Sequence, residues 1–409
     1  MKHPLRTLAN LALAFTAVLV TLALLELGAR IAAPLPEAVR QSCNPNFGWR
    51  GIPNQHKTFS TDGYTHTVTF NSLGMHDGEH SPEKAPGVYR ILLLGDSFVQ
   101  AEQVNSAETS ARVLEELLNR DGPAAQRFEV ISGGVAAWGT GQQLMYYRDE
   151  GRHFQPDLVL LLVYMGNDIS ENLPFHALTV SDVTCYTAYF ALCDNSFDPQ
   201  PWYYAPGLNP VMGQCSPAYR GVTQLLNRLY HSSRLYSLLG PLLDRLQEHN
   251  FRRDIPVLNL YVPVENEKFR QLFPEQNRDI TYGWQLAQGI TTQLAQEVAA
   301  DGAQFAIVLI DPADIINAML LAPEAREAAY ADTPYLRETS PAVPEHYFRQ
   351  LPGPPPILNL QPHFVAHMQQ TGEPLFFPYD EHWNVAGNRL AAETIYRWLR
   401  DEILPAAAQ

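Results

Sequence analysis

The sequence predicts an α/β fold built on a parallel sheet, and three apolar runs predict it. Ile91 to Leu94, Asp157 to Tyr164 and Gln304 to Ile310 are apolar along almost their whole length, with no alternation of polar residues. Strands of that kind are buried on both faces, which happens when helices cover both sides of a parallel sheet. Between them lie segments with helical spacing. These are Ala107–Arg120 (with Val113, Leu114, Leu117 and Leu118), Gln142–Gly151 and Trp284–Ala300. Strand and helix periods that alternate along the chain are the pattern of an α/β domain.

The amino terminus is a separate object. Lys2 and Arg6 precede an apolar stretch from Leu8 to Leu25, interrupted only by Asn10, Thr16 and Thr21. Roughly 20 apolar residues suffice to cross a bilayer as a helix. Glu26 and Arg30 mark the return to polar surroundings, and Pro34 and Pro36 end the helix. Residues 1–33 therefore read as a signal-anchor helix. Basic residues ahead of the span place the amino terminus in the cytoplasm and the bulk of the chain outside, as a single-pass membrane protein. A cleaved signal is the alternative, since Ala29, Ala32 and Ala33 offer small residues; the protein would then be secreted.

Residues 34–86 form a membrane-proximal lead-in, with a hairpin expected around His66–Phe70 and a turn over Asn71–His76. His56, His66, His76 and His80 suit no single helix face and read as surface or turn residues rather than metal ligands. The main domain is expected over 87–405. Its second strand, Phe128–Ile131, leads into a glycine-rich turn from Gly133 to Gly141. Residues 172–279 break the rhythm and read as an insertion, rich in Pro, Tyr and Phe, with a helix expected over Val222–Leu246. Tyr186, Tyr189, Phe190, Trp202, Tyr203 and Tyr204 there would either stack on sugar rings or form a small core of their own. A short strand, Ile357–Leu360, and a closing helix through Leu399 complete the domain.

The 409 residues carry a net charge of −15, which argues against nucleic acid as a partner. Four cysteines, none in a Cys-x-x-Cys pair, fit an oxidising compartment and allow three pairings. Cys185 with Cys193 would close a short local loop and is the first expectation.

The ends of the apolar strands gather polar residues in order: Gly95-Asp96-Ser97, the glycine-rich turn, Gly166-Asn167-Asp168, and, before the last helix, Asp380-Glu381-His382. A serine nucleophile needs a base to take its proton and a third group to orient that base. It also needs donors aimed at a developing oxyanion. A histidine, a carboxylate, an asparagine amide and backbone N–H groups are those parts. There is no Gly-x-Ser-x-Gly elbow.

This ordered set resembles the SGNH, or GDSL-type, hydrolases over about residues 87–170 and 284–400. The resemblance implies a three-layer α/β/α fold with a flavodoxin-like parallel sheet. It also implies Ser97 as nucleophile, His382 as base and Asp380 as its orienting carboxylate. The oxyanion hole would comprise the Ser97 N–H, the Asn167 amide and the N–H of Ala137, which stands where the family has glycine; Gly139 is the neighbouring alternative. Many members place the aspartate three residues before the histidine. Here it is two before, which resembles the membrane-anchored, exported branch that includes the alginate acetylation proteins, and Glu381 is the alternative orienting group. The implied activity is a serine esterase acting on a small acyl ester or O-acetylated glycan outside the cytoplasm. A glycan O-acetyltransferase and an inactive glycan-binding protein are the alternatives. No metal or organic cofactor is indicated, and the oligomeric state is left open.

Overall fold

In the computed structural model, strands β1 (Val88–Gly95), β2 (Arg127–Gly134), β3 (Leu158–Tyr164), β4 (Gln304–Ile310) and β5 (Ile357–Asn359) form one sheet. The structure describes residues 3–32, 41–61, 64–122, 126–173, 179–180, 183–185, 187–205, 213–240, 242–243, 278–329 and 342–404. Every pairing in the sheet is parallel, and the order across it is β2-β1-β3-β4-β5, the flavodoxin-like arrangement. The chain reverses direction across the sheet between β1 and β3. Ligands of such sheets gather at the carboxyl ends of the strands on either side of that point.

The strands are apolar throughout because each face has its own core. Leu92, Leu94, Val159, Leu161, Val163 and Leu309 pack on one side with Tyr146, Trp284 and Ile290. Leu93, Leu158, Leu160, Leu162 and Val308 pack on the other with Leu114, Leu118, Ile395 and Trp398. The first layer of helices includes Thr140–Asp149 and Arg278–Ala300, and the second includes Ser110–Asp121 and Val385–Trp398. Thr109 caps the helix Ser110–Asp121 by accepting the Arg112 N–H. The fold is therefore three-layer α/β/α, as the apolar runs and their spacing implied.

The lead-in packs against this core. Hairpins Gln41–Asn44/Gly48–Gly51 and His56–Thr61/Tyr64–Thr69 precede β1, and Phe47 and Trp49 are buried in the first core. The histidines there are not surface residues, with the exception of His56. His66 and His76 are buried, and His80 is enclosed between Asp77 and Glu129. His76 bonds the Gln100 carbonyl through Nδ1 (2.7 Å) and the Ser106 hydroxyl through Nε2 (2.8 Å). Each ring satisfies a polar group that folding removes from water, which a turn on the surface would not need.

The expected cysteine pairing is also overturned. Cys43 joins Cys185 across 142 residues, and Cys193 joins Cys215. The extended strand Ala188–Cys193 separates Cys185 from Cys193, whereas the first hairpin carries Cys43 to within 5.3 Å (Cα–Cα) of Cys185. The insertion's aromatics are divided. Tyr189 and Trp202 form a small core in the hairpin Ala188–Cys193/Ser196–Tyr203, with half-buried Tyr204 against it, while Phe190 and Tyr203 join the first core of the sheet. The four buried rings are not a sugar-stacking platform. Tyr186 lies outside the described residues. The insertion's helix starts at Pro217, behind the N-cap Ser216, and stops at Ser232 where Ser233 turns extended; a second helix follows over 234–240.

Candidate active site

Ser97 owes its position to the way β1 ends. After Gly95, Asp96 caps a single helical turn, Ser97–Gln100, by accepting the Phe98 N–H on Oδ1 at 2.9 Å. That turn lies directly on the strand ends. A Cβ at Gly95 would come within 2.4 Å of Val99 Cγ2, and one at Gly134 within 2.4 Å of Val99 Cβ. Glycine at both strand ends is what lets the turn approach so closely. Ser97, as the first residue of the turn, keeps an N–H with no acceptor inside the helix.

His382 reaches the serine from 285 residues away: its Nε2 lies 2.8 Å from Ser97 Oγ. The loop that presents it is closed by an antiparallel bridge between Phe376 and Trp383, and the Phe377 N–H donates to the His382 carbonyl. Asp380 holds the ring from the other side. Its Oδ1 accepts the His382 N–H at 3.1 Å, its carbonyl lies 3.1 Å from Nδ1, and its Oδ2 lies 3.5 Å from Nδ1. With the Nδ1 proton turned toward Asp380, Nε2 is the acceptor for the serine hydroxyl. Burial works to raise the Asp380 carboxyl, but the His382 hydrogen bonds outweigh it and hold the group below its ordinary value. Glu381 sits between the two in the left-handed region (φ 63°), so the chain folds back and a two-residue spacing brings carboxylate and imidazole together. The carboxylate at Nδ1 is that of Asp380, not Glu381. Phe98 packs 5.0 Å from the imidazole and 5.0 Å from Trp383, fixing the ring against the turn that carries the serine.

The glycine-rich turn lies alongside. The Val135 N–H donates to the Gly95 carbonyl, and the Ala136 N–H donates to Gln100 Oε1 at 2.7 Å. Trp49 Nε1 donates to the Ala136 carbonyl, while Trp138 Nε1 donates to the Trp49 carbonyl, both at 2.9 Å. Clamped on both sides, Ala137 takes a left-handed conformation (φ 60°), the one a glycine there would adopt freely. Among the described residues nothing accepts the Ala137 N–H. The Gly139 N–H, by contrast, donates to Gln142 Oε1. Of the two alternatives, Ala137 keeps an uncommitted donor.

Asn167 follows β3 across the reversal point. Its carbonyl accepts from the Glu171 N–H and the Ser170 hydroxyl, which fixes the backbone. Its side chain has no hydrogen-bond partner among the described residues, and Oδ1 is buried. Ser97, Ala137, Asn167, Asp380 and His382 are all half-buried. Beneath them, Asp96 and Asp168 are buried together. Burial pushes Asp96 up to about 6, against the pull of the Phe98 N–H and His382, and burial beside Asp96 raises Asp168 well above its ordinary value. A cleft of about 470 Å³, lined by Lys84, Arg152, His153 and Asp157 among others, lies at the opposite edge of the sheet and includes none of these groups.

Gln100 and Trp49 have positions that no motif announced. They hold the Ala137 turn through contacts between residues 36 and 87 apart in sequence, and neither has a local pattern to betray it. Asp96 and Asp168 were visible only as members of the motifs.

No family model matches the sequence, and no curated protein does. Three solved structures similar to this chain are esterases by description. An acetyl xylan esterase is 11% identical, covering 75% of this chain and 98% of its own, at a TM-score of 0.33. A catalytic mutant of an acetylxylan esterase from Geobacillus stearothermophilus is 11% identical, covering 78% and 97%, at 0.38. A two-domain esterase active on acetylated mannans is 11% identical at 0.34, covering 78% of this chain, which spans 51% of that one. Likeness at this level carries no functional weight by itself.

Proposed function

We propose that the chain is a serine-dependent esterase of the SGNH type. It would remove O-acyl groups, most simply O-acetyl, from carbohydrate outside the cytoplasm, while held to the membrane by its amino-terminal helix. The observation that carries the reading is the 2.8 Å contact between His382 Nε2 and Ser97 Oγ, with Asp380 behind the ring and uncommitted donors beside it. In the reaction, His382 Nε2 takes the Ser97 proton as Oγ attacks the ester carbonyl. The N–H groups of Ser97 and Ala137 and the Asn167 amide would receive the oxyanion. The tetrahedral intermediate collapses, His382 returns the proton to the leaving sugar oxygen, and an acyl ester remains on Ser97. Water, deprotonated by His382, then attacks that ester and releases the acid and free enzyme.

The carbohydrate part rests on the resemblance of the motifs to the exported branch of the family. The membrane part is supported by a helix over Asn10–Ala32 with mean hydropathy 2.2, long and apolar enough to span a bilayer. The test follows release from a chromogenic acetyl ester by wild type and Ser97→Ala, with and without an acetyl-accepting oligosaccharide. Serine-dependent hydrolysis that the sugar leaves unchanged is the expected result. Serine-dependent acetylation of the sugar would move the assignment to an O-acetyltransferase. Absence of serine-dependent chemistry with acetyl esters or acetylated glycans would sink the enzymatic reading.

A further inference from the structure

The helix Pro217–Ser232 is amphipathic the wrong way round for a soluble domain. Its buried positions are polar or carry a polar tip: Thr223, Asn227, whose amide donates to the Tyr204 carbonyl, and Tyr230. Its exposed stripe carries Val222 at 51%, Leu225 at 59% and Leu229 at 43% exposure, at the three- and four-residue spacing of one helix face, with exposed Arg228 beside Leu229. The second helix, 234–240, and the residues just after it continue the patch through Leu238, Leu239 and Leu242. A helix pair that turns leucine outward and Asn and Thr inward is built to meet a non-aqueous phase or a partner.

What covers it is indicated by where the pair is attached. The amino-terminal helix, His3–Ala32, touches these two helices through Glu26 and Arg30, at the end of its apolar run. Arg30 donates to the Ser232 carbonyl at 2.8 Å, at the carboxyl end of the first helix. Glu26 accepts the N–H groups of Arg234 and Leu235, both at 2.9 Å, and the Ser233 hydroxyl at 2.8 Å, at the amino end of the second. Cation on a carboxyl end and anion on an amino end is the favourable arrangement for both helix dipoles. The same two residues are paired to each other at 2.7 Å. Leu25, Leu27 and Ile31, which flank Glu26 and Arg30, are themselves exposed at 51%, 55% and 75%. Exposed Leu229 and Leu238 lie three residues either side of these contacts, so what bathes Leu25, Leu27 and Ile31 lies beside them.

We infer that the leucine face of residues 217–243 lies in the lipid bilayer interface beside the anchor helix, so that the insertion is a second, monotopic membrane contact. An interfacial helix of this type binds through buried apolar area. The segment's own charges, Arg220, Arg228 and Arg234 with no carboxylate, add attraction for anionic lipid to that apolar contribution. The inference rests on the proposed membrane anchor, and its test separates the two.

The full chain is reconstituted in phosphatidylcholine nanodiscs, and a fluorescent probe is placed in turn by Leu225→Cys, Leu239→Cys and, as the anchor reference, Leu19→Cys. Quenching by doxyl-labelled lipid and by aqueous iodide is then compared. The expected result is lipid quenching at 225 and 239 of at least half the Leu19 level, with shielding from iodide. Lipid quenching at Leu19 with iodide access at 225 and 239 would overturn this contact while leaving the anchor. Shielding of 225 and 239 from both quenchers would also overturn it, in favour of a protein cover. Absence of lipid quenching at Leu19 would overturn the anchor and this inference with it. Because an added cysteine can disturb the Cys193–Cys215 bond, unsubstituted chain in nanodiscs with a diazirine-bearing phosphatidylcholine gives a second reading. Cross-linked lipid on peptides from 217–243 supports the contact, and labelling confined to the anchor helix contradicts it.

Discussion

The two halves of the candidate site are built in opposite ways. On the Ser97–His382–Asp380 side every side chain has a partner: hydroxyl to imidazole, imidazole to carboxylate, carboxylate to backbone N–H. On the other side the Ala137 N–H and the Asn167 side chain have none among the described residues, although the backbone that carries them is clamped by Gln100, Trp49 and Ser170. Proton transfer needs its chain of hydrogen bonds in place before reaction begins. Oxyanion donors work best when fixed but uncommitted, since they then bind charge that appears only in the transition state. On the proposed mechanism, the contrast in satisfaction is a contrast in when each half acts.

This division orders the expected effects. Ser97→Ala and His382→Ala should each lower kcat by roughly 10⁶, since members of such a unit fail together. Near-wild-type turnover by either variant, with the fold intact by circular dichroism, would break the comparison at its root. Asp380→Asn should cost on the order of 10⁴ in kcat, because the amide no longer holds the Nδ1 proton in place. Equal losses for Asp380→Asn and Glu381→Gln would show that the wrong carboxylate has been assigned.

On the donor side the losses shrink. Asn167→Ala should lower kcat by about 10² to 10³ with little change in KM, as removal of one oxyanion donor does; a pure KM effect would make Asn167 a ground-state binder. Ala137→Gly should leave kcat within a few-fold of wild type and raise stability by about 1 kcal/mol, since it removes a left-handed alanine. A large fall in kcat there would mean that the methyl group itself orders the turn.

The smallest effect lies at the same sheet edge but outside the proposed chemistry. Burial pushes the Asp311 carboxyl from an ordinary 3.8 to about 7, with the Gln361 hydrogen bond working the other way. A folded pKa above the unfolded one gives a contribution that is complete below the unfolded pKa and is lost as pH rises through the folded one. Asp311→Asn should therefore flatten the decline of Tm between about pH 4 and pH 8 without changing turnover. An unchanged slope would show that Asp311 is ionised at little cost.

The polar positions at the strand ends were legible because each follows an apolar run, and such runs say where a buried strand stops. How they meet was not legible. Choosing Ala137 over Gly139, or Asp380 over Glu381, depends on which N–H is consumed by Gln142 and which carboxylate faces the ring. Gln100 and Trp49 act across long sequence separations and left no local trace.

Periodicity by itself determined the parallel sheet, its covering helices and the apolar amino-terminal segment, because burial on two faces, on one face or in lipid each leaves its own spacing along the chain. It also called for a helix over Val222–Leu246, where the structure has one over Pro217–Ser232 and a break at Ser233. Only the tertiary structure decided that Cys43 reaches Cys185, that the insertion's aromatics divide between a small core and the main one, and that His76 is buried. It alone decided that the helix from Pro217 turns Val222, Leu225 and Leu229 outward beside the amino-terminal helix. A helix shows its stripe in sequence, but which side of the stripe faces protein is set by what folding brings next to it.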